Sequence, residues 1–314
     1  MIGLWGLILW GGSLFNPPSM PSPLGFVPFY TFLFNGLSEY PHIAVIAGWV
    51  ILIASAFILN QLISGSDLVQ KNSSLAGFIF VLLMSFYPPL LTLNPMLICC
   101  LFLLMILRQL LNSYHREEPF DLVFSAGFFA AIGSFFYFPF IFFYGMILFS
   151  FLFFREAGWR EWISSLLGFL TPFVFLSLYY FWNDNLVEKY LVYFSYFKFR
   201  PEFSLLFEPA FTLLGIFIVT GFLVSVFSTF NRSNERTIEI RRKSYLINWI
   251  LAFALISIPF SSHLIIFHFE FFFVPFSAII TTYLLQLRKI RWQEPLLMIF
   301  IILIILNNLV FMFK

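Results

Sequence analysis

Stretches such as Met298 to Val310, MIFIILIILNNLV, are apolar on nearly every side of any helix they form. Similar runs recur along the chain, and the charged residues cluster between them. A helix on the surface of a soluble protein keeps one polar face, and these runs keep none. Hydrophobic residues make up 61% of the 314, charged residues only 10%, and 49 positions are Phe. A soluble domain, about half apolar, has no place to hide that much apolar surface. Spanning strands would alternate apolar and polar positions in roughly 10-residue segments. A helix closes its backbone hydrogen bonds within one segment, as a lipid environment demands. The expected fold is therefore all-α: a polytopic transmembrane helical bundle, one integral membrane domain over residues 1–314.

About eleven membrane segments are expected, at 1–12, 43–63, 74–91, 95–110, 121–136, 138–154, 163–182, 209–230, 245–260, 271–287 and 296–313. Turn chemistry sets the gaps. Pro17, Pro18, Pro21 and Pro23 exclude a continuing helix over 13–23, and Pro88, Pro89 and Pro95 break the chain between two later spans. Tyr137, Phe138 and Pro139 interrupt the run 121–154, which is read either as two crossings or as one re-entrant hairpin. The first segment is short. Either the true start lies upstream of Met1 or the segment is a tilted helix.

Alternate loops differ in charge. Of 17 Lys and Arg, thirteen fall on one side and four on the other: Lys189, Lys198, Arg200 and Lys314. Basic loops stay in the cytoplasm, which puts the N-terminus inside and the C-terminus outside. The loops 13–42 and 183–208 are then outer, and the basic loop 231–244 is cytoplasmic. The net charge of +2 has no clustered basic face of the kind nucleic acid requires.

Few residues are left to report chemistry. In the outer segment 186–199, Leu186, Tyr190, Tyr193 and Phe197 recur at helical spacing, so one face can lie among headgroups or line a lipid-facing groove. Anchoring alone requires the same aromatics. Outside, HLIIFHFE carries His263, His268 and Glu270, types that bind metal or relay protons. On a single helix His263 and Glu270 share a face, but His268 lies about 140° from His263, so no metal set is assigned. The plainer reading is polar residues at the interface. Glu39 is the one carboxylate of the first outer loop and the candidate catalytic base there; its plainer role is structural. On the inner side, Arg155, Trp159, Arg160, Glu161 and Trp162 in REAGWREW suit docking of a partner or phosphate, and equally interfacial anchoring. Asp121 opens a segment rich in small residues, Ser125 to Ser134, which let helices approach closely in the bundle centre.

Cys99 and Cys100 are adjacent within an apolar run, where a disulfide would be strained and zinc would lack further ligands. No nucleotide loop, HExxH or GxSxG stands in a suitable context, and no cofactor or metal is expected.

The stretch from Leu75 to Asp184 resembles an uncharacterised family of polytopic inner-membrane proteins of Bacteroidota. The resemblance rests on Asn94-Pro95, Phe120-Asp121, Gly127 and Gly133, Tyr137-Phe138-Pro139, Trp159-Arg160-Glu161-Trp162, and Gly168 to Pro172. It implies a Gram-negative inner membrane and no activity. A looser likeness, in layout alone, is to multi-span glycosyltransferases that use polyprenyl-linked sugars, with Glu39 in the place of their loop acid. The leading expectation is a multi-pass inner-membrane protein handling a lipid-linked envelope intermediate, as a glycosyltransferase-like enzyme or its partner. The alternatives are a transporter of a small or hydrophobic solute and a non-catalytic scaffold. Partners are then membrane lipids, together with a polyprenyl-linked glycan or another envelope protein.

Overall fold

The computed structural model describes residues 2–23, 27–65, 73–113, 116–153, 158–195, 238–261 and 265–286, with isolated positions at 220, 223, 227, 298, 301 and 302. Among the described residues every regular element is helical. Four helical stretches are long and apolar enough to cross a membrane: Pro41–Ser64, Pro95–Ser113, Trp159–Trp182 and Lys243–Phe260. Apart from those isolated positions, the expected spans 209–230 and 296–313 lie outside the described residues, as do the first half of the basic loop 231–244 and the candidates Arg155, Phe197 and His263.

The elements follow the local chemistry. Helix α1 (Ile2–Phe15) leads into the proline-rich segment, and α2 (Pro28–Leu37) forms within what reads in the sequence as an outer loop. Pro28 opens α2 and Pro41 opens α3 (Pro41–Gly65), at positions where the missing N–H is no loss. Helix α4 (Leu75–Met84) stops ahead of Pro88 and Pro89, which form a short 3-10 turn, Pro88–Leu90. Helix α5 (Pro95–Ser113) is started by Asn94, whose Oδ1 accepts the Leu97 N–H at 2.7 Å.

Helix α6 (Phe120–Phe136) ends where Tyr137 turns extended, and a 3-10 turn, Phe138–Phe142, leads into α7 (Phe143–Phe153). Helix α8 (Trp159–Trp182) keeps Pro172 inside it. Asp184, at φ 53°, makes the sharp turn to α9 (Leu186–Ser195), a left-handed conformation that Asp tolerates better than most side chains. Helix α10 (Ile238–Ser257) ends in the 3-10 turn Ile258–Phe260. A single helical turn, Ile265–His268, precedes α11 (Glu270–Gln286).

The run 121–154 is an antiparallel pair. Ser164 of α8 donates to the Phe120 carbonyl at 2.8 Å, and Phe135 meets Phe173 further along, so α6 and α8 run parallel. Tyr144 stacks near Phe169 and Phe151 near Trp162, so α7 runs antiparallel to α8. Each of α6 and α7 is shorter than the roughly 20 residues of a standard span.

The small residues expected at the bundle centre are there. A Cβ on Gly127 would collide with the Ser165 carbonyl, and one on Gly168 would collide with the Phe124 carbonyl. Backbone thus meets backbone between α6 and α8, the close approach that drives helix association without a hydrophobic force. The opposite face of α8 is bare: Leu166, Leu170, Phe175 and Leu178 are exposed. Such a continuous apolar surface is what lipid covers. The core itself draws on α1, α3, α4, α5, α6, α7, α10 and α11, with the aromatic cluster Phe140, Phe143 and Phe271 near its centre.

Candidate functional site

Several chain breaks meet at one end of the bundle. These are the unwound stretch before α5, the Tyr137 break after α6, the end of α10, and the turn at Phe269 ahead of α11. Polar side chains at these breaks bond to each other across great sequence distance. The Asn94 amide donates from Nδ2 to Glu270 Oε1 at 2.7 Å. The amide's orientation is fixed, because its Oδ1 already accepts the Leu97 N–H. Glu270 is 1% exposed, and its second oxygen, Oε2, has no hydrogen-bond partner. Two residues before Asn94, the buried Thr92 Oγ1 also has none.

His268 lies beside this pair and is fully buried. Its Nε2 stands 3.0 Å from the Ala254 carbonyl and 3.3 Å from Ser257 Oγ. A carbonyl only accepts, so Nε2 carries the hydrogen. In the neutral ring Nδ1 is then the acceptor, and the Tyr137 hydroxyl donates to it across 2.9 Å. This tautomer follows from the geometry of the partners. Helix α5 adds the buried Cys99 and Cys100, both within electrostatic reach of Glu270; Cys99 Sγ donates to the Gly133 carbonyl at 3.3 Å.

His268 and Glu270 were expected as substrate- or lipid-facing residues; the structure buries both, so neither side chain faces lipid. One helix through both would turn them to different faces. The chain instead turns at Phe269, which lets both side chains enter the core from successive short elements. Burial of an ionisable group inside an apolar bundle is costly, so such groups mark function by default.

The other candidates are dispersed. Tyr193, also expected to face lipid, is 4% exposed: it packs against Phe138 and Phe173, with its hydroxyl 3.5 Å from Ser134 Oγ. Burial pushes its phenol above the ordinary range, and the Ser134 bond opposes this. Tyr190 hydrogen-bonds Ser177 at 2.6 Å. The two tyrosines pin α9 to α6 and α8, while Val187 and Leu191 remain exposed on its other side. Glu39 is exposed in the turn between α2 and α3. At the far end of the bundle, Glu161 turns inward and accepts the Gly158 N–H at 2.7 Å, capping α8. Trp159 is 69% exposed with the Arg160 guanidinium 5.8 Å from its ring centre, and Trp162 packs on Phe151. Asp121 is exposed and pairs with Arg116 at 3.0 Å.

Asn94, Tyr137 and Ser257 carried no functional expectation from sequence. Asn94 stood only in the Asn94-Pro95 marker of the resemblance, and Tyr137 read as a break, which it also is. Their shared location is a tertiary fact: 176 residues separate Asn94 from Glu270.

Residues 6–314 match the model of a family described as a family of unknown function, DUF6427. No curated protein and no solved structure matches the chain.

Proposed function

The chain belongs to DUF6427, a family without an assigned activity, and on that premise we propose that it is a multi-pass carrier of the bacterial inner membrane. The solute path of this carrier passes the Asn94–Glu270 and Tyr137–His268 pairs. The observation behind this reading is the convergence of helix breaks on buried ionisable groups. Carriers place their sites at discontinuous helices, where unwound backbone and polar side chains are tolerated inside the bundle. The buried acid on this path is Glu270, which the sequence placed at the interface. The eleven-segment topology, with the N-terminus inside, belongs to the same proposal and puts the site near the outer face. Here the test is flux of a broad solute panel in a deletion strain complemented with wild type or Glu270→Gln. The carrier reading expects at least one solute whose flux is lost on deletion and not restored by the variant. Unaltered flux for every solute counts against it.

A second reading remains the handling of a lipid-linked envelope intermediate, with Glu39 as its acid. It is favoured by the aromatic helices α2 and α9 at the bundle end that also holds the Glu39 turn. Mass spectrometry of lipid-linked glycans from the deletion strain tests it. A discrete precursor should accumulate, and Glu39→Ala should reproduce it; a normal glycan profile would sink this reading.

A further inference from the structure

We infer that Glu270 is the group on which this carrier binds a coupling proton, and that Oε2 is the atom that takes it. The inference deepens the carrier reading by naming the ligand, and proton binding is measurable without any solute.

Glu270 sits at the start of α11, and all but 1% of its surface is covered. One carboxyl oxygen is held by Asn94, and the other is without a partner. A buried carboxylate has to be neutralised, by a cationic side chain, a metal cation or a proton. The surrounding elements decide among these. Helix α5 presents Asn94, Cys99 and Cys100, and the break after α6 presents Tyr137. Helix α4 carries no charged residue. The charges of α10, including Arg241, Arg242 and Lys243, lie at its start, whereas Ala254 and Ser257, at its end, meet His268. On the turn itself, both ring nitrogens of His268 are taken up by Ala254, Ser257 and Tyr137 rather than by Glu270. No Lys or Arg meets Glu270 among the described contacts.

A metal cation fits poorly. It would seek oxygen ligands around the carboxylate. The Asn94 amide turns its NH₂ towards Glu270, and it has no freedom to flip because the Leu97 N–H requires its oxygen. Among the described residues no three His, Cys, Asp or Glu gather as a metal set. A proton suits the geometry. It adds to Oε2 and converts the carboxylate to a neutral acid, while Oε1 keeps the Asn94 bond; no electrons move. Release returns the same proton to water when that end of the bundle opens. The Tyr137–His268 bond fixes the turn that aims Glu270 inward, so Tyr137 is a positioning residue.

The experiment is infrared difference spectroscopy of the purified full-length protein in detergent, titrated with pH in sodium-free buffer. A carboxylic acid C=O band should be lost as pH rises. It should be absent from Glu270→Gln and moved in frequency in Glu270→Asp, a variant that keeps the acid and guards against a merely misfolded Gln protein. Tyr137→Phe should keep the band and shift its midpoint. Sodium chloride at fixed pH should leave the band unchanged. Two results overturn the proposal: no titrating band assignable to Glu270, or displacement of that band by sodium, which would make the ligand a metal cation. Either can occur while solute flux still depends on the gene, so failure here is separable from failure of the carrier reading.

Discussion

Replacing Gly168 by Ala tests whether backbone contact between α6 and α8 holds the bundle together. The added Cβ falls onto the Phe124 carbonyl group, with Phe124 Cα at 3.0 Å, where ordinary contact begins at 3.4 Å. The obstacle is main chain, which has no rotamer to escape into, so the helices must separate or shift. Overpacking of this kind costs about 1–3 kcal/mol. For a chain of this size that is a fall in Tm of roughly 2–6 °C, taking about 2 °C per kcal/mol. Fluorescence-monitored thermal unfolding in detergent measures it. Gly36→Ala is the control: it lies in α2 with nothing within 4 Å of the new Cβ. There Ala restricts the unfolded chain without collision, and stability should hold or rise by up to about 1 kcal/mol. Gly127→Ala strikes the same interface from the other side, against Ser165 and Phe169. The double variant should cost less than the two single costs added, because helices already parted accept the second methyl. A Gly168→Ala protein as stable as Gly36→Ala would refute the close-contact argument.

Other consequences are directly measurable. Asn94→Ala should cost about 1 kcal/mol for the lost α5 cap. A further roughly 1–3 kcal/mol comes from leaving Glu270 Oε1 without its donor; thermal unfolding reads the sum. Arg116→Ala, at an exposed pair with Asp121, should change stability by no more than about 0.5 kcal/mol in the same assay. Burial raises the Tyr30 and Tyr193 phenols, so the folded protein keeps their protons when the unfolded chain, titrating near pH ~10, has lost them. Their contribution is then complete below that pH and lost as pH rises through it. Melting curves at increasing alkaline pH should fall less steeply for a Tyr30→Phe/Tyr193→Phe protein, and an unchanged slope would contradict the burial of the two phenols.

Helices long and apolar enough to cross a membrane were legible from residue type alone, because length and apolarity of a run decide whether lipid can surround it. Two helix boundaries followed from punctuation: Pro95 and Tyr137 to Pro139 set them within a few residues. The small residues of α6 announced a close helix contact, although their partners Ser165 and Gly168 on α8 became evident only in three dimensions. The helical spacing of Leu186, Tyr190 and Tyr193 announced α9 inside the loop 183–208, and neither it nor α2 inside 13–42 has the long apolar run that reveals a span. The polar site was legible only as fragments. Glu270 and His268 look interfacial when placed on one continuous helix, and the turn at Phe269 overturns that placement. Tyr137 had a visible local duty as a break that masked its second one, and Asn94 showed neither its cap nor its bond to Glu270. Sequence determined which segments are apolar and where they break, because those depend on each segment's own side chains. Tertiary structure decided which breaks meet, because a hydrogen bond such as Asn94 to Glu270 exists only once packing has brought distant helix ends to within 2.7 Å.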